Sequence, residues 1–380
     1  MRILFFSSPL HGHVIPLIPL ARAFRDRGDS VALVSAEVLA PLVAAEGIEF
    51  LAAGPGAEGV MVEMVRRTGI DPVEAGQTSS PETVAEMFAG VRVDLGYQDS
   101  LIHAREFGPD LIVAEALDFV GPVVAAALGV PYATVALGPA VPPEFMDLLI
   151  ARAARASAEH DLEYRAPDWY LDPCPASLQI EQWQAPRNHF GLRPEPFSAG
   201  GSTLPELSQT RERTGRRRVL ASFGTLFSDP GLMSALLTSL LALDIEVCVT
   251  LGLATAESDF SVHDERVQYV GFTPLAALLD GVDAVLTVGG SGTVLGALSR
   301  GLPLVLLPQG ADQPINAARV AAVGAGIALP VGPASPDAVA EAVAQVLDKP
   351  DYRLAAERMA EEIRALPSAH EIAASLIASI

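Results

Sequence analysis

Two histidines lie in the first loop that follows a predicted strand, where one imidazole would have the surroundings of a general base. The predicted apolar strand Ile3–Ser7 is followed by a loop that contains His11 and His13, and then by a predicted helix, Pro16–Arg27. Two histidines without nearby cysteine or carboxylate side chains make a poor metal site. Near a helix N-terminus, the field of the helix disfavours the imidazolium and keeps the ring able to accept a proton. The sequence therefore predicts a base in this loop and no metal site.

A glycine-rich run in the second half of the chain has the composition of an anion-binding loop. The run follows the predicted strand Ala284–Val288 and precedes the predicted helix Val294–Ser299. Small residues let backbone N–H groups approach an anion, and a helix N-terminus favours negative charge. An ordinary tight turn is the alternative, but three glycines with two hydroxyl side chains favour phosphate binding. The residues of the run are Gly289, Gly290, Ser291, Gly292 and Thr293.

A short polar segment follows another predicted strand, Leu304–Leu307, and offers groups that bind hydroxyls. Asp312, Gln313 and Asn316 form a compact set of hydrogen-bond donors and acceptors. An aspartate before a proline-containing turn also commonly caps a helix. The segment therefore indicates a sugar site only in combination with other motifs.

Three other patterns do not predict a site. The segment Gly54–Gly59 matches the GxGxxG fingerprint, but it lies outside the first strand–helix unit, Pro55 disturbs the turn, and we predict no helix after it. The only lysine, Lys349, follows no glycine-rich loop, which excludes a P-loop. The two cysteines, Cys174 and Cys248, have neither a metal-ligand spacing nor the pattern of a disulfide framework.

The composition excludes several classes of partner. The formal net charge of −21 would repel phosphate backbones and anionic membranes, so no nucleic-acid binding is expected. The one basic run, Arg211–Arg218, is predicted to be a solvated linker. Prolines and glycines interrupt the longest charge-free stretch, Phe119–Pro143, so we expect no membrane span. The first residues lack the apolar core and cleavage site of a signal peptide, and we expect a cytoplasmic protein.

The elements that must position these residues alternate between strand and helix in both halves of the chain. The chain has 380 residues, enough for two domains. Alternating strands and helices predict parallel sheets, so the expected fold class is α/β, with two Rossmann-like, doubly wound sheets facing a cleft. We expect Pro142–Pro196 to be irregular. The expected domains are an N-terminal domain over residues 1–200, a linker over 201–216, a C-terminal domain over 217–362, and a last helix over 363–380 that packs back on the N-terminal domain.

Two segments carry a resemblance to a known family. The opening, Arg2–Glu37, resembles the N-terminal signature of family 1 glycosyltransferases, and Val270–Pro330 resembles their donor-binding region. Within the family, the segments are most similar to actinobacterial enzymes that glycosylate antibiotics and other natural products. The resemblance covers about a quarter of the chain and implies the two-domain GT-B fold and a glycosyltransferase activity.

The resemblance assigns the reaction chemistry to the first half of the chain. His13 occupies the position of the family's catalytic base. Glu115 occupies the position of the acidic residue that orients this histidine, and because that residue is usually aspartate, Asp118 remains a competing candidate. The implied reaction is a direct displacement, in which the base deprotonates an acceptor hydroxyl and the oxygen attacks the anomeric carbon with inversion. No cofactor is implied, since the nucleotide-diphosphate sugar is a co-substrate.

The resemblance assigns donor binding to the second half of the chain. It implies that the glycine run holds the diphosphate and that an aromatic side chain stacks on the nucleobase. It also implies that the polar segment binds sugar hydroxyls. The donor-binding residues are Ser222, Gly224, Thr225, Phe272, Val288, Gly289–Thr293, Asp312, Gln313 and Asn316.

Two departures from the family pattern affect the expected donor. Val288 stands where the family usually has a histidine on the diphosphate, and Gly296 stands where users of ribonucleotide donors often have a glutamate on the ribose. A thymidine diphosphate deoxysugar would lose least binding from the second change, because its nucleoside lacks the 2'-hydroxyl of ribose. The expected acceptor is a small hydrophobic hydroxylated natural product such as a polyketide, and a homodimer stays among the expected assemblies. A non-catalytic nucleotide-sugar-binding protein, motivated by Val288, and a nucleotide-sugar epimerase of the same fold are the alternatives.

Overall fold

The computed structural model describes residues 1–70, 80–198, 215–223, 230–252, 255–332 and 334–380. The chain divides into two compact units. Most of the predicted linker, residues 201–214, lies outside the described residues, so its limits stay a prediction. The N-terminal unit comprises Met1–Cys174, Ile180–Arg193 and Leu366–Ile380, and the C-terminal unit comprises Pro175–Gln179 and Pro194–Ala365.

A seven-stranded sheet with the order β3-β2-β1-β4-β5-β6-β7 forms the centre of the N-terminal unit. Each pair of neighbouring strands is parallel. All five residues of β4 are buried, as is typical of strands in parallel sheets that helices cover on both faces. The strands are β1 (Arg2–Phe6), β2 (Ser30–Ser35), β3 (Glu49–Ala52), β4 (Leu111–Glu115), β5 (Tyr132–Val135), β6 (Trp169–Asp172) and β7 (His189–Gly191).

Helices connect these strands and supply the rest of the core. Aliphatic and aromatic side chains such as Phe6, Val34, Tyr97 and Val123 pack together in it. The last helix of the chain packs on the second α-helix after β1, Ile18–Asp26. The helices are α1 (His11–Val14), α2 (Ile18–Asp26), α3 (Ala40–Ala44), α4 (Ala57–Thr68), α5 (Pro81–Ala85), α6 (Arg92–Phe107), α7 (Val120–Leu128), α8 (Pro143–Ala158) and, at the C-terminus, α15 (Ala369–Ser379).

Three sequence predictions for this unit are wrong. The segment predicted to be irregular, Pro142–Pro196, contains the 16-residue helix α8 and strands β6 and β7. Proline is well tolerated at the first position of a helix, where its missing N–H has no partner to lose, so Pro143 begins a helix instead of preventing one. A helix also follows Gly54–Gly59, because α4 begins at Ala57. The first loop is partly helical, since His11–Val14 forms one turn.

The C-terminal unit has a six-stranded sheet with the order β10-β9-β8-β11-β12-β13, again parallel throughout. Its core contains β-strand side chains such as Val219, Val247 and Leu286. Its strands are β8 (Arg217–Ser222), β9 (Ile245–Thr250), β10 (Val267–Val270), β11 (Ala284–Thr287), β12 (Leu304–Leu306) and β13 (Gly326–Ala328). Its helices are α9 (Pro230–Leu240), α10 (Leu275–Leu278), α11 (Ser291–Ser299), α12 (Gln313–Ala322), α13 (Pro336–Asp348) and α14 (Pro350–Ala365).

Candidate active site

Two neighbouring parallel strands bring a histidine and a glutamate to the same edge of the N-terminal sheet. Phe6, the last residue of β1, pairs with Ala114 of β4. The chain after β1 forms the helical turn that carries His13, and β4 ends at Glu115. Carboxyl ends of adjacent parallel strands are where ligands bind in open α/β sheets. The topology therefore places two predicted site residues, far apart in sequence, next to each other.

The carboxylate of Glu115 holds the imidazole of His13 in one orientation. His13 Nδ1 lies 2.9 Å from Glu115 Oε1, and the histidine side chain is 14% exposed. Since an ionised carboxylate only accepts hydrogen bonds, Nδ1 carries the proton in this pair and Nε2 keeps the basic lone pair. We call His13 and Glu115 the imidazole–carboxylate pair. Its arrangement is that of a general base and the group that orients it.

Backbone N–H groups fix the buried carboxylate of this pair. Glu115 Oε1 accepts a hydrogen bond from Ser8 N at 3.1 Å, and Oε2 accepts one from Leu117 N at 2.7 Å. Burial by itself raises the pKa of Glu115, but His13 and the two N–H groups together hold that pKa below its usual value. Glu115 is therefore ionised at neutral pH and can stabilise the imidazolium that forms when His13 accepts a proton.

The competing candidate, Asp118, contacts other groups. Its Oδ1 accepts a hydrogen bond from Gly121 N, in the first turn of α7, at 2.8 Å. Its Oδ2 lies 3.7 Å from Nη2 of the buried residue Arg92. Burial raises the pKa of Asp118 to about 6, a rise that Arg92 opposes and Glu115 increases. The geometry favours Glu115 as the carboxylate that orients His13.

An aromatic ring that the sequence did not point to lies on the imidazole. The rings of Phe88 and His13 are stacked, with centroids 5.9 Å apart and planes at 22°. Phe88 belongs to a π-helical turn, Glu86–Val91, that connects α5 and α6. Such turns shift side chains away from their α-helical positions and are frequent at functional sites. The ring of Phe88 therefore covers one face of the imidazole.

In the C-terminal unit, the glycine run opens a helix as predicted. Gly289 follows β11 with a φ of +95°, a conformation that favours glycine, and α11 begins at Ser291. A Cβ atom added at Gly290 or Gly292 would meet no described atom within 4 Å. Among the described residues, nothing therefore crowds these two positions at the start of this nine-residue helix, where the positive potential of the helix favours an anion such as a diphosphate.

Hydrogen bonds connect the glycine run to the polar segment that follows β12. Asp312 Oδ2 accepts from Ser291 Oγ at 2.7 Å and from Ser291 N at 3.3 Å. The same oxygen accepts from Nδ2 of the buried Asn316 at 2.8 Å. Gln313 Oε1 accepts from the backbone N–H groups of Gln309 and Gly310 at 2.8 and 3.3 Å. These side chains thus shape the two loops, and their contact with sugar hydroxyls stays a prediction.

The remaining donor residues differ in accessibility. Phe272 is 49% exposed, with its ring centroid 6.5 Å from that of Phe197, so it presents a flat apolar surface suited to a nucleobase. Val288 is buried in the apolar core of the unit. Ser222 is buried, and its Oγ accepts from Thr250 Oγ1 at 3.4 Å. Gly224 and Thr225 lie outside the described residues.

The environment of Gly296 differs from the one expected. A Cβ atom at this position would lie 2.7 Å from Leu275 Cδ2 and 3.4 Å from Pro196 Cβ. The glycine therefore faces α10 and allows close packing there. A side chain at this position would first meet Leu275.

Two family models match the chain. The N-terminal domain of the family described as "Erythromycin biosynthesis protein CIII-like" matches residues 22–224, and its C-terminal domain matches residues 234–379. The protein belongs to this family. It is a glycosyltransferase, and the predicted resemblance and GT-B fold are confirmed.

Curated relatives of this CIII-like glycosyltransferase match it over nearly their whole length. The 3-alpha-mycarosylerythronolide B desosaminyl transferase of Saccharopolyspora erythraea is 28% identical, over 98% of this chain and 96% of the relative. The elloramycin glycosyltransferase of Streptomyces olivaceus is 30% identical, over 99% and 97% of the two chains. Among solved structures, the glycosyltransferase SsfS6 of Streptomyces sp. SF2575, complexed with thymidine diphosphate, superposes with a TM-score of 0.82 at 27% identity, covering 100% of both chains.

Two features are absent from the described part of this enzyme. No helix there is long and apolar enough to cross a membrane. No group of three or more histidine, cysteine, aspartate and glutamate residues among those described is arranged to hold a metal ion.

Proposed function

We propose that this enzyme transfers a deoxysugar from a thymidine diphosphate donor to a hydroxyl group of a small hydrophobic natural product, with inversion at the anomeric carbon. The observation that carries the proposal is the 2.9 Å contact between His13 Nδ1 and the buried carboxylate of Glu115. A histidine held in this tautomer at the end of a parallel strand is suited to deprotonating an alcohol or phenol.

The proposed displacement is a single step in which every bond that forms is matched by a bond that breaks. The acceptor O–H bond breaks and its proton goes to Nε2 of His13, while the oxygen forms a bond to the anomeric carbon of the sugar. The bond between that carbon and the diphosphate oxygen breaks, and the nucleoside diphosphate leaves with the electron pair. Glu115 stabilises the imidazolium, and the helix start at Gly289–Thr293 stabilises the charge that grows on the diphosphate.

The identity of the substrates rests on two kinds of support. Relatives named as desosaminyl and elloramycin glycosyltransferases favour a polyketide-type acceptor and a deoxysugar. The related structure that contains thymidine diphosphate favours that nucleotide in the donor. The exposed ring of Phe272 offers a stacking surface for the thymine.

The test is turnover of a thymidine diphosphate deoxysugar with a panel of polyketide aglycones and phenols. We expect thymidine diphosphate to appear only in the presence of an acceptor, with a product whose anomeric configuration, measured by NMR, is opposite to that of the donor. Retention of configuration would refute the inverting mechanism. Donor consumption without an acceptor would favour the epimerase alternative, and donor binding without any turnover would favour a non-catalytic binding protein.

A further inference from the structure

A fully buried arginine in the N-terminal unit makes few of the hydrogen bonds that it can make. Arg92, the first residue of α6, is 1% exposed. Its Nη2 donates to the carbonyl oxygen of Ser7 at 3.3 Å and lies 3.7 Å from Asp118 Oδ2. Among the described residues, Arg92 Nε, Arg92 Nη1 and Asp118 Oδ2 have no hydrogen-bond partner. We call Arg92 and Asp118 the buried ion pair.

The fold makes room for this guanidinium with two glycines. A Cβ atom at Gly54 would lie 2.9 Å from Arg92 Nη1, and one at Gly96 would collide with the same nitrogen. Gly54 also has a φ of +69°, so both its conformation and its surroundings require glycine. This accounts for the first glycine of the GxGxxG match, which binds no nucleotide in our interpretation. Burying an arginine with so few partners is unfavourable, and apolar side chains of similar volume usually stabilise a core as well or better.

The buried ion pair is connected to the imidazole–carboxylate pair through the backbone. The carbonyl oxygen that Arg92 contacts belongs to Ser7, and the next N–H group, that of Ser8, donates to Glu115 Oε1. On the other side, Asp118 N donates to the carbonyl oxygen of Glu115 at 2.9 Å. The π-helical turn Glu86–Val91 ends directly before Arg92 and also carries the ring that stacks on the imidazole. A change in Arg92 or Asp118 would therefore alter the surroundings of His13.

The charges near the imidazole of His13 give Arg92 an electrostatic role, which is to balance a buried carboxylate. Two buried carboxylates, Glu115 and Asp118, lie within one turn of chain, and each disfavours the ionisation of the other. Arg92 on α6 is the cation that faces Asp118, and His13 on α1 is the group that faces Glu115. His11, half-buried on the same turn as His13, has a pKa that burial lowers, so it adds no charge at neutral pH.

We propose that the buried ion pair is a positioning element that sets the proton affinity of His13, because the guanidinium balances Asp118 and leaves Glu115 as the one uncompensated charge that the described residues place beside the imidazole. The predicted effect on turnover rests on the proposed function. The predicted effect on the proton affinity of His13 does not, because it is a property of the enzyme without substrates.

The test is the titration of His13, followed by NMR in protein with labelled histidine and without donor or acceptor, the signal being assigned with His13→Ala. Asp118→Asn keeps the oxygen that accepts from Gly121 but leaves Arg92 uncompensated, so the midpoint of the titration should fall by about half a pH unit or more. The double variant Arg92→Met/Asp118→Asn removes both charges and should return the midpoint to within about 0.3 units of wild type.

Two controls separate this effect from general damage. Asp172→Asn changes another buried carboxylate that contacts a histidine, His189, and should leave the His13 midpoint in place. Arg92→Lys keeps the positive charge and should also leave the midpoint within about 0.3 units, which provides a second comparison if the methionine variant does not fold. An unchanged midpoint in Asp118→Asn overturns the proposal, as does a double variant displaced as far as Asp118→Asn. Absence of turnover in an enzyme whose titration moves as expected would refute the proposed function alone.

Discussion

The side-chain amide of Asn316 donates a hydrogen bond to the carbonyl oxygen of Gly289 across 2.8 Å. The same nitrogen lies 3.0 Å from Ser291 Oγ and 2.8 Å from Asp312 Oδ2. One buried side chain therefore joins the loop after β11 to the loop after β12. The sequence predicted Asn316 as a donor-binding residue, but these contacts favour an indirect role, in which it fixes the shape of the glycine run.

Asn316→Ala should destabilise the enzyme and weaken donor binding together. The substitution removes the hydrogen bond to the carbonyl of Gly289 and one of those that Asp312 Oδ2 accepts, while Ser291 still donates to that oxygen. We expect this loss to lower the free energy of unfolding by about 1–3 kcal/mol. Urea denaturation and calorimetry with thymidine diphosphate measure the two effects. Ser299→Ala is the control, since Ser299 Oγ donates to the carbonyl oxygen of Gly296 in its own helix. Equal diphosphate affinity in wild type and Asn316→Ala would contradict the indirect role.

His13→Ala should impair the chemical step much more than binding. Loss of a positioned base lowers kcat by about 10²–10⁴, with little change in donor affinity. Glu115→Gln should also lower kcat, because a neutral amide stabilises the imidazolium less than a carboxylate does. Turnover with an aliphatic alcohol acceptor is the measurement, since an acidic phenol would partly hide the effect. His11→Ala is the control, and activity of His13→Ala within a few-fold of wild type would refute the assignment.

The predictable part of the site is the part that periodicity determines. Alternating strands and helices placed His13 and Gly289–Thr293 at strand ends, and parallel pairing brings such ends to one edge of each sheet. Strand positions could be predicted because buried parallel strands are continuous apolar runs. The sequence does not predict helix α8, because a proline is expected to interrupt a helix, although the first position of a helix tolerates it.

The unpredicted contacts depend on three-dimensional packing. Phe88 reaches the imidazole through a π-helical turn, and no residue spacing distinguishes such a turn from an ordinary helix. Because Arg92 is charged, the sequence predicts an exposed side chain. Its burial depends on the space that Gly54 and Gly96 leave. The contact of His13 with Glu115, and not with Asp118, could not be predicted from the sequence, because the two carboxylates lie at the end of β4 and three residues after it.

Asp312→Ala and Gln313→Ala should differ from each other in a way that the sequence did not predict. From sequence, both changes should weaken use of the sugar and spare free diphosphate. The contact between Asp312 and Ser291 now implies that Asp312→Ala also weakens diphosphate binding, because it loosens the start of α11. Gln313→Ala should keep the sequence-based behaviour, with each lost charge-assisted or neutral bond to the sugar worth about 0.5–3 kcal/mol. Calorimetry with thymidine diphosphate and with the nucleotide sugar distinguishes them, and identical losses in the two variants would contradict the expectation.

The last prediction concerns the nucleotide of the donor. We expect a thymidine diphosphate deoxysugar to be used better than the uridine diphosphate donor that carries the same sugar, by about ten- to a hundred-fold in kcat/KM. The reason is that a buried 2'-hydroxyl without a partner costs about 1–3 kcal/mol. From sequence, the missing partner is the absent side chain of Gly296, but that residue faces α10, so the preference now rests on the proposed thymidine diphosphate donor. Competition between the two donors is the measurement, and equal or better use of the uridine donor would contradict the prediction.

The structure changes the companion experiment on Gly296. If the position faced the ribose, Gly296→Glu would improve use of the uridine donor. Because the first side-chain atom would lie 2.7 Å from Leu275 Cδ2, we expect no improvement and a loss of about 1–3 kcal/mol of stability from overpacking. Leu275→Ala in the same chain should recover part of that stability by removing the atoms that collide, still without better use of uridine. Gly292→Ala is the matched control in the same helix, since its Cβ would meet no described atom within 4 Å, and it should keep the stability of wild type. Improved uridine use in Gly296→Glu would show that this residue reaches the ribose after all.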